Sequence, residues 1–169
     1  PNYYLAEKLY DGVMFVGQHA MAGAKDGVLA HSQSFSVQQL TLNGRPVGEL
    51  GQTAAIAGHF GIPVIMLSGD QAACDEMLAL QPKAEVVAVK RLAGKGSTLS
   101  LSHAEAKRRI EEAARRAVLR IKEFQPWKLE GPIELKFEYR PEGTATTGRT
   151  AVYRGRTVLE TYEQWLGGR

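Results

Sequence analysis

Two histidines and a glutamate are the side chains of this sequence best suited to chemistry. His19, His31 and Glu49 lie in short segments rich in glycine and small residues. Two imidazoles and a carboxylate are donors that zinc accepts, although spacings of 12 and 18 residues match no local metal motif. Two interpretations stay open: a metal site, or polar groups satisfied at loop ends, with Glu49 facing the positive end of a helix.

Strands and turns around these residues predict how they are positioned. The apolar run 12–17 (GVMFVG) predicts a fully buried strand, and His19 follows its carboxyl end, where open α/β sheets place their sites. Residues 34–42 are rich in β-formers, and Asn43-Gly44 predicts a hairpin turn after them. Residues 49–60 are alanine-rich and predict a helix that starts at Glu49.

The rest of the chain alternates between strand and helix patterns. Further strands are predicted at 63–67, 85–90, 133–139 and 150–153, and further helices at 70–80, 102–124 and 156–166. Asp70 is expected to cap the first of these helices, with no other role. This order predicts an α/β fold with a mixed sheet and flanking helices. No repeat or linker interrupts it, so residues 1–169 are expected to form a single domain or the C-terminal portion of one.

Composition and charge exclude several classes of protein. With 44% hydrophobic and 23% charged residues, the chain has the balance of an ordinary globular protein. Its one cysteine, Cys74, excludes an internal disulfide and a zinc site built on cysteines. A net charge of +3 gives no argument for nucleic acid, and no apolar run approaches the roughly 18 residues of a membrane span. We therefore expect neither partner, and a cytoplasmic protein.

Three other features are interpreted as surface or loop structure. The tract 94–98 (GKGST) lacks the glycine spacing and the Lys-Ser/Thr pair of a phosphate loop, and predicts a flexible loop before a helix. Basic residues of the 102–124 helix are interleaved with glutamates, which favours a solvated face over a nucleic-acid surface. His59, in a last helical turn, and His103, just after a helix cap, are expected to carry no function.

Several exact strings add a family resemblance to this reading. Residues 12–20 (GVMFVGQHA), which carry His19, 27–34 (GVLAHSQS), which carry His31, and 43–51 (NGRPVGELG), which carry Glu49, resemble segments of DppA-type zinc D-aminopeptidases. The similarity continues through Ala57-Gly58, Ile62-Pro63-Val64, Ser68-Gly69-Asp70 and 147–152 (TGRTAV). It covers essentially the whole chain, with its segments in the expected order.

The resemblance implies a site, a reaction and an assembly. His19 and Glu49 would be zinc ligands and His31 the catalytic histidine beside the metals. The enzyme would hold two zinc ions and remove N-terminal D-amino acids, such as D-Ala, from short peptides by metal-activated water. The family further implies a ring-shaped homo-oligomer, with a decamer as the candidate state.

One part of the family pattern is absent from this sequence. The pattern begins with a strand carrying Asp-x-Glu-Gly, whose carboxylates bind zinc, and a further histidine ligand follows. This chain starts at Pro1, contains no Asp-x-Glu, and has no histidine before His19. We therefore expect it to be the C-terminal part of a larger α/β peptidase, catalytically incomplete without its N-terminal portion. Two alternatives remain: a non-catalytic scaffold or binding relative of the family, and a metal-dependent amidase of other specificity.

Overall fold

A computed structural model describes residues 3–94 and 96–167 of the chain. The strands are β1 (Val13–Gln18), β2 (Val37–Leu42), β3 (Arg45–Pro46), β4 (Val64–Asp70), β5 (Glu85–Gly94), β6 (Ser97–Ser100), β7 (Ile133–Tyr139) and β8 (Thr150–Gly155). The helices are α1 (Tyr3–Ala6), α2 (Glu49–His59), α3 (Gln71–Leu80), α4 (His103–Leu119) and α5 (Val158–Gly167). Within the described ranges, no helix is both long and apolar enough to cross a bilayer.

The first sheet is mixed and has helices packed against it. Its strand order is β1-β4-β5-β6, with β1, β4 and β5 parallel and β6 antiparallel to β5. Every residue of β4 is buried, because two separate apolar clusters flank it. One contains Cys74 and Met77 of α3, and the other contains Ala113 and Ala117 of α4. The predicted α/β class, with a mixed sheet and flanking helices, is confirmed.

A second, antiparallel sheet has the order β3-β2-β7-β8. Strand β7 alternates buried and half-buried residues, as the sequence pattern predicts for a strand half open to water. Phe137 of β7 stacks on Trp165 of α5 with ring centroids 5.2 Å apart. These two side chains lie in the apolar cluster that joins α5 to the second sheet.

Helix α2 contributes to the cores of both sheets. Leu50 and Ala54 pack in the cluster beneath α3, whereas Ala55 packs in the cluster of the second sheet. A helix wedged between two cores has its position fixed by both of them. The first turn of α2, with Glu49, therefore lies where the two sheets meet.

The hairpin predicted at Asn43-Gly44 is confirmed. Both residues have positive φ, 47° and 77°, which the primed hairpin turns require and which asparagine and glycine tolerate. The turn sets Leu42 opposite Arg45 in the β2–β3 pair. The chain then enters α2 within a few residues.

The prediction that β1 is fully buried is wrong. In the described part of the chain, β1 pairs with β4 on one side only and forms the edge of the first sheet. Its residues are half-buried or exposed, and Val16 is 72% exposed. An apolar run between glycines shows that a strand can form, but it does not show how many neighbours the strand has.

Two other predictions need correction in the middle of the chain. The tract 94–98 is not a flexible loop before a helix, because it joins β5 and β6 in an antiparallel hairpin; Lys95 lies outside the described residues. The helix predicted to reach residue 124 ends at Leu119, and a 3-10 turn at Ile121–Glu123 follows it.

Candidate metal centre

The structure brings the three predicted donor residues together. One ligand atom from each of His19, His31 and Glu49 lies within 4.8 Å of the other two. The two imidazole rings stack with their centroids 3.8 Å apart and an interplanar angle of 16°. All three side chains are half-buried. A ligand can therefore reach the cluster from solvent, while packing against the rest of the fold holds the side chains in position.

His19 owes its position to an irregularity at the end of β1. The register of β1 against β4 shifts between Val16 and Gln18, which leaves Gly17 as a bulged residue with φ of 80°. The Gly17 N–H donates to the Ser68 hydroxyl at 3.3 Å. Bulges bend a strand and redirect the side chains that follow. This one carries the chain to His19 at the carboxyl edge of the first sheet.

His31 closes the loop that starts at His19. The backbone N–H of His31 donates to the Ala20 carbonyl at 3.2 Å. This hydrogen bond joins the two ends of the loop and so brings the two histidines close together. The face of its ring is also near Phe35, with centroids 4.6 Å apart. His31 is therefore packed between His19 and the segment that leads into β2.

Both histidines present the same ring nitrogen to a backbone carbonyl. Nδ1 of His19 lies 3.0 Å from the Ala20 oxygen, and Nδ1 of His31 lies 2.7 Å from the Leu29 oxygen. A carbonyl oxygen can only accept, so each of these bonds requires a proton on Nδ1. This tautomer leaves the lone pair of Nε2 available, which is the arrangement of metal-binding and proton-transferring histidines.

Glu49 has one carboxylate oxygen engaged and the other free. Oε1 accepts a hydrogen bond from the Gln33 N–H, and Gln33 has a positive φ of 64°. Oε2 is buried and has no hydrogen-bond partner in the described part of the chain. A buried carboxylate oxygen without a donor is unusual, and a bound cation would satisfy it. Two free imidazole nitrogens and this oxygen fit the donor preferences of zinc.

Two other buried groups near Glu49 lack partners among the described residues. Gln52, one turn along α2, accepts from the Gln33 side chain at 3.2 Å, but its own Nε2 is unpaired. The hydroxyl of Tyr162, on α5, is also unpaired. Burial raises the pKa of Tyr162 well above its ordinary value, and the charge of Glu49 adds to the rise. Tyr162 therefore stays protonated beside the site.

Side chains outside the loop hold its backbone in place. Asp70 caps α3 through Ala73 at 2.7 Å, and its second oxygen accepts from the Val28 N–H at 2.9 Å. The buried Ser32 hydroxyl accepts from the Ala22 N–H at 3.1 Å and donates to the Val47 carbonyl at 3.3 Å. The sequence position of Asp70 predicts that it caps α3, but it does not predict the hydrogen bond from the Val28 N–H in the loop.

Glu76 is a further side chain that holds the loop backbone, and the sequence did not predict this role. Its carboxylate accepts from the N–H groups of Met21, at 3.0 Å, and Gly48, at 3.3 Å. Burial raises the pKa of Glu76, the two N–H donors oppose that rise, and the charges of Glu49 and Asp70 add to it. A single acid within a helix gives no sequence signal for such a role, because its partners are main-chain groups.

The features predicted to be unrelated to chemistry lie apart from the donor cluster. His59 is the last residue of α2, at the opposite end of that helix from Glu49, and His103 begins α4. The arginines of α4 form ion pairs with glutamates, such as Arg108 with Glu105 at 2.8 Å. This pairing agrees with the predicted solvated face.

The fold and the donor cluster define an α/β protein with a candidate metal centre. The chain belongs to the M55 peptidase family, described as D-aminopeptidase, because the sequence model of that family matches residues 3–162. The resemblance inferred from the strings around His19, His31 and Glu49 is thereby confirmed.

Two relatives place the chain more closely within this family. A D-aminopeptidase of Bacillus subtilis (strain 168) is 32% identical over an alignment 169 positions long, which covers 93% of this chain and 61% of that protein. The solved structure of the Zn-dependent D-aminopeptidase DppA from Bacillus subtilis, a self-compartmentalizing protease, superposes with a TM-score of 0.84 at 29% identity. That match covers 94% of this chain and 62% of the other. The chain thus spans about three fifths of the length of these relatives.

Proposed function

We propose that this chain is part of a zinc-dependent D-aminopeptidase and carries some of its site residues. The observation that carries the proposal is the convergence of His19, His31 and Glu49, with the buried Glu49 Oε2 unpaired among the described residues. Family membership and the zinc dependence of the structural relative support it. The substrates would be short peptides with an N-terminal D-amino acid such as D-Ala.

His19 and Glu49 are proposed as zinc ligands, through Nε2 and Oε2. Zinc, when bound, supplies Lewis-acid polarisation of the peptide carbonyl and activation of water. A site with two zinc ions needs more donors than these two or three residues offer. We therefore propose that the isolated chain binds zinc weakly, and that carboxylates of an Asp-x-Glu-Gly segment complete the site in a longer protein.

His31 is proposed as the group that moves a proton during hydrolysis. Its Nδ1 proton is held by the Leu29 carbonyl, so Nε2 is the atom that exchanges protons with the substrate. Stacking on His19 keeps the ring beside the ligand cluster. From this place Nε2 can accept a proton from the attacking water and pass it to the leaving amine.

Zinc titration of matched variants separates these roles. His19→Ala and Glu49→Gln are expected to weaken zinc binding by the chain at least about 10-fold, because each removes a ligand. His31→Gln is expected to leave zinc affinity nearly unchanged while abolishing D-Ala-D-Ala hydrolysis by the longer protein. His59→Gln, at the far end of α2, is the control for removing a histidine. Equal zinc affinities in all four variants and the unsubstituted chain would refute the proposed ligand set.

Peptide assays address the alternatives to this function. A D-aminopeptidase cleaves D-peptides in preference to L-peptides, whereas a metal-dependent amidase of other specificity shows no such preference. A scaffold or binding relative hydrolyses neither, even in the longer form. Robust turnover by the 169-residue chain alone would rule out the proposed incompleteness.

The oligomeric state and the cellular location are predictions that can each be tested directly. The self-compartmentalizing relative supports a ring-shaped homo-oligomer, and we propose a decamer for the longer protein. Light scattering coupled to size-exclusion chromatography gives the subunit count. The single domain is tested by one cooperative unfolding transition, and the cytoplasmic location by cell fractionation.

A further inference from the structure

One carboxylate connects the two segments that carry the proposed zinc ligands. Met21, whose N–H donates to Glu76 Oε2 at 3.0 Å, lies two residues after His19. Gly48, whose N–H donates to Glu76 Oε1 at 3.3 Å, immediately precedes Glu49. These two segments come from the end of the first sheet and from the start of α2. We infer that Glu76 is a positioning residue that sets the separation of His19 from Glu49.

The close approach of the two segments supports this inference independently. A Cβ added at Gly48 would lie 2.8 Å from the Cβ of Met21 and 3.0 Å from its Cα. It would also lie 3.2 Å from Glu76 Oε1. Contacts this short leave no room for a side chain at residue 48. The segments are therefore in direct contact at the point where the Glu76 carboxylate holds them.

The helix that carries Glu76 is a firm support for this contact. Asp70 caps α3, and the helix buries Cys74 and Met77 in the core beneath the first sheet. Glu76 itself is half-buried. Hydrogen bonds that involve a charged group are stronger than neutral ones. The two bonds oppose the cost of burying the charge, and they attach both backbones to α3.

The substitution Glu76→Gln tests the role with little change of shape. The amide keeps one acceptor oxygen but turns an NH2 group towards one of the two N–H donors, so one bond is lost. Asp75→Asn is the matched control, because Asp75 is the exposed neighbour on α3 and its hydrogen bond is to the Gln71 side chain. Gly48→Ala is a second variant, which forces the segments apart without altering the carboxylate.

Two readouts on the full 169-residue chain are combined. The first is amide hydrogen exchange in the absence of metal, where Glu76→Gln is expected to speed exchange at Met21 or Gly48 by at least about 10-fold, more than at amides elsewhere in the chain. The second is the dissociation constant for zinc ion, expected to rise about 10-fold in Glu76→Gln and in Gly48→Ala and to stay unchanged in Asp75→Asn. Substitution of a residue that merely stabilised the fold would lower the unfolding midpoint without selectively speeding exchange at Met21 or Gly48.

The inference rests on the proposed zinc site, and the two readouts distinguish their failures. Unchanged amide exchange at Met21 and Gly48 in Glu76→Gln would overturn the inference, whatever the metal data show. Faster exchange with unchanged zinc affinity would overturn it too, because the contact would then not position the ligands. If the unsubstituted chain bound no zinc, the proposed function would fail, and the exchange data would still decide whether Glu76 fixes the two segments.

Discussion

Replacing Gly69 by alanine should disturb the candidate site, because the added methyl group would displace the end of β1 that leads to His19. Gly69 lies in β4, where it pairs with Gln18 of β1. A Cβ at this position would lie 2.1 Å from the Gln18 carbonyl oxygen and 2.9 Å from its carbonyl carbon. Both are backbone atoms next to His19, so no side-chain rotation can relieve the contact.

The size of the effect follows from that distance. Cβ atoms essentially never approach other atoms closer than 3.0 Å, so the end of β1 must move by about 0.9 Å. Forcing extra volume into a packed site costs roughly 1–3 kcal/mol. A Gly→Ala change gains about 0.4–1 kcal/mol by restricting the unfolded chain. The net loss is therefore at most about 2.6 kcal/mol, which corresponds to a fall of up to roughly 10 °C in Tm for a chain of this size.

Thermal unfolding and zinc titration test this prediction together. Gly167→Ala is the control, because a Cβ at Gly167 meets nothing within 4 Å. It should leave stability unchanged or raise it slightly. Gly69→Ala should also weaken zinc binding, by about 10-fold, because His19 moves with Gln18. A Gly69→Ala chain as stable as the control, with the zinc affinity of the unsubstituted chain, would refute the steric reasoning.

Further predictions concern two buried groups, Asp70, which caps α3, and Cys74, which lies within that helix. Asp70→Asn retains one acceptor for the two N–H groups of Val28 and Ala73, so urea unfolding should show a loss of about 1–3 kcal/mol, and a loss below about 0.5 kcal/mol would contradict the double contact. Burial, with the charges of Asp75 and Asp70, raises the pKa of Cys74 from 9.0 to about 12. Its thiol should therefore react with a disulfide reagent at pH 8 far more slowly in the folded chain than in urea, and equal rates would refute this. Because the folded thiol keeps its proton where the unfolded one ionises, this group should lower stability as the pH rises from about 9 to 12.

The sequence predicts elements well where a local pattern is complete. Strand β7 starts and ends where the alternating run of residues 133–139 does, because one face meets the core and the other meets water. The hairpin at Asn43-Gly44 depends on two residues that tolerate positive φ. Strand β6 was missed because its residues are all exposed, so no apolar alternation marks it. The edge position of β1 depends on pairing, which its own residues do not encode.

The candidate site likewise has some features that the sequence predicts and others that depend on tertiary structure. Residue type and position singled out His19, His31 and Glu49, and the family strings assigned their roles, since their spacing carries no local signal. Their convergence depends on α2 packing against both cores, which is a property of tertiary structure. Glu76 could not be predicted, because N–H groups that contact it are present at every residue except proline.

The loop between the two histidines is attached to the fold through its main chain. At positions 21, 22 and 28, the anchoring contacts are made by backbone N–H groups. Such contacts are indifferent to the side chain at these positions, so the loop can diversify in sequence while keeping its path. Proline is the exception, because it has no N–H to donate. A mutational library of this loop should therefore tolerate many residues at these three positions and be depleted of proline at each of them.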